Sequence, residues 1–339
     1  PDEPKVTKSN NGLELILEQK PVVKTKQQQK QIVEQAKLLK ANYVVFDEDL
    51  SPVQTKNFQK LEEKIKFIDR SGVILEIFFN NAKSKESKTQ VELARLQYQL
   101  PRLTRMWTHL ERQMGGFGTR AGAGETQIEV DRRILRKRIS NLKKKLKSID
   151  SERRVQSKRR QSFFRTSFVG YTNVGKSSLM KAITKSDVLI KNQLFATLDT
   201  TVRRLFIGNS NYVLMSDTVG FIRELPNNLI ASFKSTLQEV VDSNLLLIVL
   251  DANSKDLHNE IATIQSVLKE IGANEIDFQY IFNKVDIVSE ERITYLRKSF
   301  PEAIMVSATR ALQLSNIKEI IIDKHKEWAI SLKNPLHMQ

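Results

Sequence analysis

The sequence of 339 residues contains no cysteine and only four histidines, at positions 109, 258, 325 and 337. The lack of cysteine excludes disulfides and thiolate-bound metals, and the spacing of the histidines matches no metal-ligand motif. The longest uninterrupted apolar run, Leu245 to Leu250, is far shorter than the roughly 18 residues that indicate a membrane span. These absences favour a folded cytoplasmic protein without a membrane span or a histidine or cysteine metal centre.

Positive charge is concentrated in one short segment. The formal net charge is +16, and residues 132–160 hold 14 basic and 2 acidic residues, which leaves +12 in this segment alone. Such a density favours a polyanion as partner, because phosphates neutralise it and release counterions. The alternative is a solvated helical face. An anionic membrane surface is less favoured, since the segment lacks the aromatic apolar face of interfacial helices.

Two narrow apolar stripes flank a glycine-rich stretch, residues 114–127, that holds five of the twelve glycines. The first stripe comprises Leu93, Leu96, Leu100, Leu103, Trp107 and Leu110. The second comprises Ile128, Leu135, Ile139, Leu142, Leu146 and Ile149. Steps of three, four and seven residues are typical of helices that pack against each other. We therefore predict a long antiparallel helical hairpin over residues 89–160, with a kink at Pro101 and a glycine-rich tip at 114–125.

The glycine-rich stretch also matches G-x-G-x-x-A through Gly116, Gly118 and Ala121. A dinucleotide site requires this pattern to follow a strand and open a helix. Here a predicted helix precedes it, which excludes that interpretation. The stretch is also longer than a tight turn needs, and Phe117 and Arg120 within it can stack on a base and grip a phosphate. We expect it to contact RNA rather than to serve only as a flexible connector.

A phosphate-binding loop follows the basic segment. "TSFVGYTNVGKSSL", residues 166–179, places a short strand before G-x-x-x-x-G-K-S, with Gly170, Gly175, Lys176 and Ser177 in the defining positions. The glycines let backbone N–H groups surround the phosphates, Lys176 reaches the β and γ oxygens, and the Ser177 hydroxyl ligates Mg²⁺. The pattern predicts binding of a nucleoside triphosphate with Mg²⁺.

Later motifs favour guanine. "YVLMSDTVG" ends a strand at Asp217, which can hold the metal through water, and Gly220, which can sense the γ-phosphate. "LLLIVLD" is typical of a fully buried parallel strand. "YIFNKVD" then places Asp286 after another strand, where its carboxylate can accept from the ring N–H and the amino group of guanine. Adenine offers neither donor, so the motif predicts GTP rather than ATP.

The chain before the hairpin alternates short strand-like runs ("LELIL", "NYVVFD", "KIKFID") with helical stretches. The predicted fold is therefore α/β: a P-loop GTPase domain with a mixed, mostly parallel sheet, preceded by a small α/β subdomain and the helical hairpin. We expect the subdomain at residues 1–88, the hairpin at 89–162, the Ras-like G domain at 163–332 and a tail at 333–339.

Together with "LFATLDTTVRR", these motifs resemble the Ras-like GTPases, and further segments resemble the HflX family of bacterial translation-factor GTPases. The segments are "VELARLQYQLPRL", "GGFGTRAGAGETQIEVDRR", "GYTNVGKSSL", "LFATLD" and "DTVGFIRELP". The resemblance implies a GTPase whose hairpin and N-terminal subdomain bind ribosomal RNA of the large subunit, and in which GTP drives separation of stalled ribosomes into subunits. It also implies a factor that is monomeric when free and, in the cytoplasm, associates with ribosomes or in part with membrane surfaces.

The resemblance assigns site residues. Spacing alone leaves Thr197, Thr200 and Thr201 open as the switch threonine that ligates Mg²⁺; the "FATLD" match favours Thr197. The predicted metal ligands are Ser177, Thr197 and Asp217, and the predicted catalytic residues are Lys176, Thr197 and Gly220. The predicted GTP/GDP-binding residues are Gly170, Tyr171, Thr172, Asn173, Val174, Gly175, Lys176, Ser177, Ser178, Phe195, Ala196, Thr197, Leu198, Asp199, Asp217, Thr218, Val219, Gly220, Asn283, Lys284, Val285, Asp286, Ser307, Ala308 and Thr309.

Two further expectations concern turnover and RNA. Phe221 stands where Ras-type enzymes place the glutamine that orients the attacking water, a substitution that HflX members share, so we expect slow intrinsic hydrolysis. The predicted RNA-binding residues are Gly115, Gly116, Phe117, Gly118, Thr119, Arg120, Arg132, Arg133, Arg153, Arg154, Lys158 and Arg159. The alternative function is an RNA-binding assembly scaffold in which GTP only changes affinity.

Overall fold

A computed structural model describes residues 5–8, 14–18, 25–103, 127–160, 162–184, 201–208, 211–218, 220 and 237–333. The chain divides into two compact units. The first unit comprises residues 1–80 and 89–147, and the second comprises residues 81–88 and 148–339. Among the described helices, none combines the length and apolar character that a bilayer crossing requires.

The first unit contains a four-stranded sheet with the order β1-β2-β3-β4, in which β1 and β2 are antiparallel and the other pairs are parallel. Its strands are β1 (Lys5–Lys8), β2 (Glu14–Glu18), β3 (Tyr43–Phe46) and β4 (Lys66–Asp69). Its helices are α1 (Lys26–Leu38), α2 (Pro52–Leu61) and α3 (Arg70–Asn81). Strands thus lie at all three segments from which the sequence predicts them.

Local sequence explains where the first helices begin. Thr25 caps α1 and Ser51 caps α2, and in both cases a glutamine three residues later completes a capping box. Pro52 at the first turn of α2 fits the same position because no hydrogen bond is lost there. Phe58 of α2 is fully buried, and its ring lies between those of Phe46 and Phe67, at centroid distances of 5.0 and 4.8 Å. This aromatic stack fixes α2 on the sheet.

A buried carboxylate joins the sheet to the next helix. Asp69, at the end of β4, is 1% exposed and accepts hydrogen bonds from Leu50 N (3.1 Å), Gly72 N (2.8 Å) and the Tyr98 hydroxyl (2.6 Å). The Arg102 guanidinium also donates to Asp69 at 3.1 Å and stacks over the Tyr98 ring. Burying this charge is tolerable because it is paired and fully hydrogen bonded. Asp69 therefore anchors the segment around Tyr98 and Arg102.

Helices α4 (Lys85–Gln99) and α5 (Gln127–Arg160) occupy the region of the predicted hairpin. A small apolar cluster joins them and comprises Leu93, Ile139 and Leu142, with Leu96, Leu100 and Leu146 against it. All six belong to the two predicted stripes. Arg138 of α5 also pairs with Glu92 of α4 at 2.6 Å. The two helices therefore contact each other through the predicted faces.

Pro101 ends α4 rather than only kinking it. The α-helix stops at Gln99, and one 3₁₀ turn, Leu100–Arg102, follows. The proline ring is incompatible with a further α-helical hydrogen bond. The predicted tip, the antiparallel turn and the upper part of the first stripe fall at residues 104–126, outside the described residues, so they stay predictions.

The second unit contains a six-stranded sheet with the order β10-β9-β8-β5-β7-β6. Its elements are β5 (Arg165–Val169), α6 (Lys176–Thr184), β6 (Thr201–Gly208), β7 (Asn211–Asp217), α7 (Gln238–Val241), β8 (Leu245–Asp251), α8 (Leu257–Ile271), β9 (Phe278–Asn283), α9 (Glu290–Ser299), β10 (Ile304–Met305) and α10 (Leu314–Lys333). All neighbouring strands are parallel except β6 and β7. The mixed, mostly parallel sheet that the sequence predicts is confirmed.

The centre of this sheet decides where a ligand can bind. The first six residues of β8 are all buried, as the unbroken apolar run predicts for a strand covered on both faces. Strand β5 pairs with β7 on one side and with β8 on the other, so the strand order reverses at β5. In open α/β sheets, ligands bind beyond the carboxyl ends of the strands at such a reversal of strand order. The loop after β5 is therefore the expected site.

Candidate nucleotide-binding site

The loop between β5 and α6 has a backbone that only glycine permits at two points. Gly170 has φ +150° and Gly175 has φ +97°. A Cβ atom at Gly170 would lie 2.2 Å from the Val249 carbonyl oxygen, and one at Gly175 would lie 2.2 Å from Asn283 Nδ2. Both positions therefore need glycine for conformation and for space. The glycines bring the loop against β8 and the end of β9.

Lys176 begins α6 and lies inside the loop. The residue is 6% exposed, and its Nζ donates to the carbonyl oxygens of Gly170 (3.0 Å) and Tyr171 (2.8 Å). Burial lowers the pKa of the Lys176 amine to about 8, while the charge of Asp217 opposes the shift. A buried ammonium that contacts carbonyl oxygens is stabilised further when an anion binds beside it. The position is therefore suited to phosphate oxygens.

Ser177 and Asp217 form the polar pair next to Lys176. The Ser177 hydroxyl donates to the Asp217 carboxylate at 2.5 Å, and Asp217 ends β7 with 1% exposure. A hydroxyl and a carboxylate are oxygen ligands of the kind that Mg²⁺ prefers, so these residues fit that metal when phosphates complete its shell. Within the described residues, no group of three or more histidine and acidic side chains could hold a metal ion by itself.

Gly220 passes close to the same loop. A Cβ atom there would lie 2.7 Å from Thr172 Cα and 2.8 Å from Lys176 Nζ. Upstream, the Thr218 hydroxyl donates to the Phe168 carbonyl at 2.6 Å and fixes the chain after β7 on β5. The close approach leaves no room for a side chain at position 220 and places this residue beside Lys176. Its role in sensing the γ-phosphate stays a prediction.

Asn283 connects the phosphate loop to the predicted guanine motifs. Its Nδ2 donates to the Val174 carbonyl at 2.8 Å, and its Oδ1 accepts from Ala308 N at 3.0 Å. The residue is 2% exposed at the end of β9. One amide side chain therefore holds two loops that are 134 residues apart in sequence (308 minus 174).

Lys284 and Asp286 follow Asn283 in a short turn. Lys284 adopts φ +66°, a left-handed conformation that non-glycine residues rarely take, and its Nζ pairs with Asp251 at 2.7 Å. Asp286 lies in the 3₁₀ turn Val285–Ile287 and is exposed. The turn thus presents the carboxylate of Asp286 at the surface, where an incoming base can reach it.

The segment after β10 is a compact turn in which backbone N–H groups donate to side-chain oxygens. Ser307 is fully buried, its Oγ accepts from Arg310 N at 3.0 Å, and its backbone forms a bridge with Leu312. The Ala308 N–H is held by Asn283, while Thr309 is exposed. The structure therefore brings residues 307–309, which are among the predicted nucleotide-binding residues, next to the Asn283 motif.

Part of the predicted site lies outside the described residues. This part comprises Phe195, Ala196, Thr197, Leu198, Asp199 and Val219, together with Phe221. Of the three threonines that spacing leaves open, Thr201 lies in β6 directly opposite Asp217. Thr197 and Thr200 are outside the described residues, so the assignment of the switch threonine stays a prediction. The other predicted nucleotide-binding residues lie at the carboxyl edge of the sheet or at the start of α6.

Two features of the site escape sequence reasoning. Asp251 fixes Lys284, and its position directly after the buried run of β8 is the signal that would have identified it. A buried serine cluster joins β5, β7 and the chain after α7: Ser167 Oγ hydrogen bonds with Ser216 Oγ and with Ser243 Oγ. No pattern in the sequence indicates these contacts, because the three serines lie far apart in the chain.

Helix α5 carries the basic segment. Arg132 and Arg133 are exposed, and seven further basic side chains up to Lys147 are exposed as well. No acidic residue interrupts residues 132–147. The side chains of Arg153, Arg154, Lys158 and Arg159 lie outside the described part of the chain, although the helix includes these positions. These nine exposed basic side chains, of which Arg138 is paired with Glu92, form the positive surface of α5.

The buried lysine predicts a pH dependence of nucleotide binding. Below pH 8 the Lys176 amine is already protonated, so affinity for GDP is expected to stay level. Above pH 8 the phosphates must draw a proton onto the amine, so affinity falls by up to about tenfold per pH unit. Titration of the protein with fluorescent GDP at pH values between about 6.5 and 8.8 measures how the affinity changes. Lys176→Arg keeps its charge and is expected to show no fall; a level profile for the parent protein would contradict the prediction.

The phosphate loop, the Asn283 and Asp286 turn and the sheet order together define a P-loop GTPase. Three family profiles match the chain: GTP-binding GTPase N-terminal at residues 18–79, GTP-binding GTPase Middle Region at 81–160, and 50S ribosome-binding GTPase at 165–284. The chain belongs to the HflX family of GTPases.

Relatives and a solved structure support this membership. GTPase HflX of Flavobacterium psychrophilum is 51% identical over 72% of this chain, and GTPase HflX of Escherichia coli K12 is 42% identical over 87%. The chain spans 58% of the first relative's length and 70% of the second's. The crystal structure of SsGBP with GDP aligns with a TM-score of 0.53 and 26% identity, covering 91% of this chain and 88% of that one.

Proposed function

We propose that the protein hydrolyses GTP and that its GTP-bound form binds the large ribosomal subunit and separates stalled ribosomes into subunits. The observation that carries the nucleotide part is the convergence of Lys176, Asn283 and Asp286 at one edge of the sheet. The profile described as a 50S ribosome-binding GTPase supports the choice of partner. The protein would act where ribosomes are, in the cytoplasm and as a monomer.

The chain's own residues account for nucleotide binding. Backbone N–H groups of the loop and the Lys176 ammonium hold the phosphates, and Asn283 keeps that loop next to the guanine turn. Asp286 accepts from the two guanine donors. Ser177 and Asp217 would hold Mg²⁺, which neutralises phosphate charge when bound. We retain Thr197 as the proposed third metal ligand.

Slow turnover without a partner is part of the proposal. A glutamine that orients water is absent at position 221, where phenylalanine stands. A phenyl ring cannot polarise water, so positioning of the attacking water is left to the partner. The rate of GTP hydrolysis would then rise only on contact with the large subunit. The free enzyme would consume little GTP.

The positive surface of α5 supports contact with ribosomal RNA. Its basic side chains between Arg132 and Lys147 are exposed, while Ile139 and Leu142 of the same helix are buried in the apolar cluster. A surface of this density attracts phosphates over several ångströms and binds them with release of counterions. Arg132 and Arg133 belong to this surface. Arg153, Arg154, Lys158 and Arg159 extend the charge in the sequence toward the end of the helix.

Removing charge from α5 is expected to weaken ribosome binding in a salt-dependent way. Lys143, Lys144 and Lys145 are exposed, so their joint change to glutamine removes charge without disturbing the apolar cluster. Each lost phosphate contact is expected to flatten the log–log salt dependence by roughly 0.7 to 0.9. Co-sedimentation with large subunits at a series of salt concentrations measures this salt dependence.

A matched control is available on α10. Lys326 is exposed and paired with Asp323 at 2.8 Å, so Lys326→Gln removes a lysine that is already neutralised. This variant is expected to keep the parent salt dependence. An unchanged slope for the triple variant of α5 would mean that the basic face is only solvated.

The glycine-rich segment provides the sharpest test of subunit separation. Residues 115–124 contain five glycines with Phe117 and Arg120 between them, a combination suited to close contact with RNA. Replacing this segment with a short turn is expected to leave GTP binding intact and to abolish separation of ribosomes in a light-scattering assay. Separation at the parent rate would show that the segment is only a connector.

A further inference from the structure

The antiparallel strands β6 and β7 carry an exposed aromatic surface to which none of the motifs above assigns a role. Strand β6 is the last strand of its sheet, and its residues alternate between buried Leu205 and exposed Arg204 and Phe206. Phe206 is 72% exposed, the most of any phenylalanine among the described residues. Tyr212 of β7 is its direct cross-strand partner and lies on the same face. We call these residues, with Phe163, the β6–β7 aromatic surface.

The rings and the arginine are arranged around Tyr212. Its ring stacks on Phe163 at 4.9 Å with an interplanar angle of 24° and lies 6.2 Å from Phe206. The Arg204 guanidinium lies 4.6 Å from the centre of the Tyr212 ring, within cation–π range. Phe163, Tyr212 and Arg204 thus hold one another in place. Phe206 at the edge leaves most of its ring in water.

Packing within the strands does not explain this exposure. A cross-strand aromatic pair stabilises two paired strands when its surfaces cover each other. With 72% of Phe206 exposed, little apolar area leaves water. An exposed aromatic next to a cation is instead a feature of surfaces that bind a partner.

Charge distinguishes the kind of partner. Residues 201–216 contain two arginines and no acidic residue. Phe163 follows the basic helix directly, and its N–H donates to the carbonyl of Arg160, the last residue of α5, at 3.1 Å. Five of the eight residues from 153 to 160 are basic by sequence. An aromatic surface that directly follows a strongly basic helix matches single-stranded RNA. In such RNA an unstacked base can contact a ring while its phosphates contact cations.

We infer that the β6–β7 aromatic surface binds RNA by stacking an unpaired base on Phe206, with Arg204 contacting the adjacent phosphate. The inference extends the proposed function, since it gives the G domain an RNA contact of its own in addition to α5 and the glycine-rich segment. It requires single-stranded RNA, because bases in a duplex are already stacked on each other.

The test measures binding of the full chain to a short single-stranded RNA oligonucleotide that carries one 2-aminopurine, and to the same RNA as a duplex. Phe206→Leu keeps an apolar side chain but removes the ring, and it is expected to weaken binding of the single strand by about 5- to 20-fold and to abolish quenching of 2-aminopurine. Phe206→Trp is expected to retain both. Arg204→Gln is expected to weaken binding and to flatten the salt dependence by roughly 0.7.

A matched control lies on the same sheet. Phe278 begins β9, is 47% exposed and follows Asp277, which is paired with Lys324 at 3.0 Å, so Phe278→Leu removes an exposed ring next to a neutralised charge pair. It is expected to bind RNA like the parent. Parent-like affinity of Phe206→Leu for the oligonucleotide, or an equal loss in Phe278→Leu, would overturn the inference. Because free oligonucleotide is the probe, these results are independent of whether the protein separates ribosomes.

Discussion

Asp286→Asn is expected to lower the affinity for GTP by about 10²- to 10³-fold. The carboxylate is exposed at the edge of the site and accepts two hydrogen bonds from guanine, each worth roughly 1.5–3 kcal/mol when one partner is charged. The amide of asparagine turns one acceptor into a donor, which then faces the donor amino group of the base. Equilibrium binding of GTP, ATP and xanthosine triphosphate measures the effect.

The xanthine nucleotide serves as the control for folding. Xanthine has a carbonyl oxygen where guanine has its amino group, so the side-chain amide that this substitution introduces can donate to it. We expect Asp286→Asn to gain affinity for the xanthine nucleotide while it loses affinity for GTP. ATP is expected to bind poorly to both proteins. Equal affinity of the parent for GTP and ATP would contradict the role of Asp286.

Lys176→Ala is expected to remove GTP turnover, by about 10²- to 10³-fold or more, both with and without ribosomes. The amine lies among the carbonyls of the phosphate loop and is the only cation that the described part of this loop, residues 170–177, contains. Its loss removes the loop's one side-chain cation and leaves only the backbone N–H groups, with the Mg²⁺ that Ser177 and Asp217 would hold, to offset the charge that develops on the phosphate oxygens. Single-turnover hydrolysis of radiolabelled GTP measures the effect.

A second lysine on the same helix separates chemistry from folding. Lys181 lies in the last turn of α6 and is half-buried, outside the phosphate loop. Lys181→Ala is expected to keep parent turnover. Burial already disfavours the charged form of Lys176. The Lys176→Ala variant is therefore not expected to have a lower unfolding temperature than the parent. Substantial turnover by Lys176→Ala would show that another group stabilises the transferred phosphate.

The sequence predicts those parts of the fold that depend on local patterns. The apolar run of β8, the glycine positions around Lys176 and the polar ends of the strands all specify local structure, and each lies where the pattern places it. The mixed, mostly parallel sheet is predicted as well, whereas the number and order of its six strands are seen only in the structure. The apolar stripes of α4 and α5 similarly predict which faces meet.

Contacts between distant residues could not be predicted. Asp69 appears in the sequence as one more acidic residue after a strand, yet Tyr98 and Arg102 bury it, from 29 and 33 positions away. The pairing of Lys284 with Asp251 also depends on the adjacent positions of β8 and β9, although the place of Asp251 at the end of the buried run marks it as a candidate. Pro101 ends a helix that the sequence predicts it only to bend, and Arg102, in the 3₁₀ turn that follows, reaches Asp69.

The rate of GTP hydrolysis by the full chain, measured with and without large ribosomal subunits, tests the proposed function directly. We expect a basal rate of ~10⁻⁴ to 10⁻² s⁻¹, as for other GTPases without assistance, and a rise of at least about tenfold when large subunits are added. Lys176→Ala must abolish the rise. A low rate that large subunits leave unchanged would support an RNA-binding scaffold in which GTP only changes affinity. A high basal rate that ribosomes do not affect would contradict the role given to Phe221 and to the ribosome.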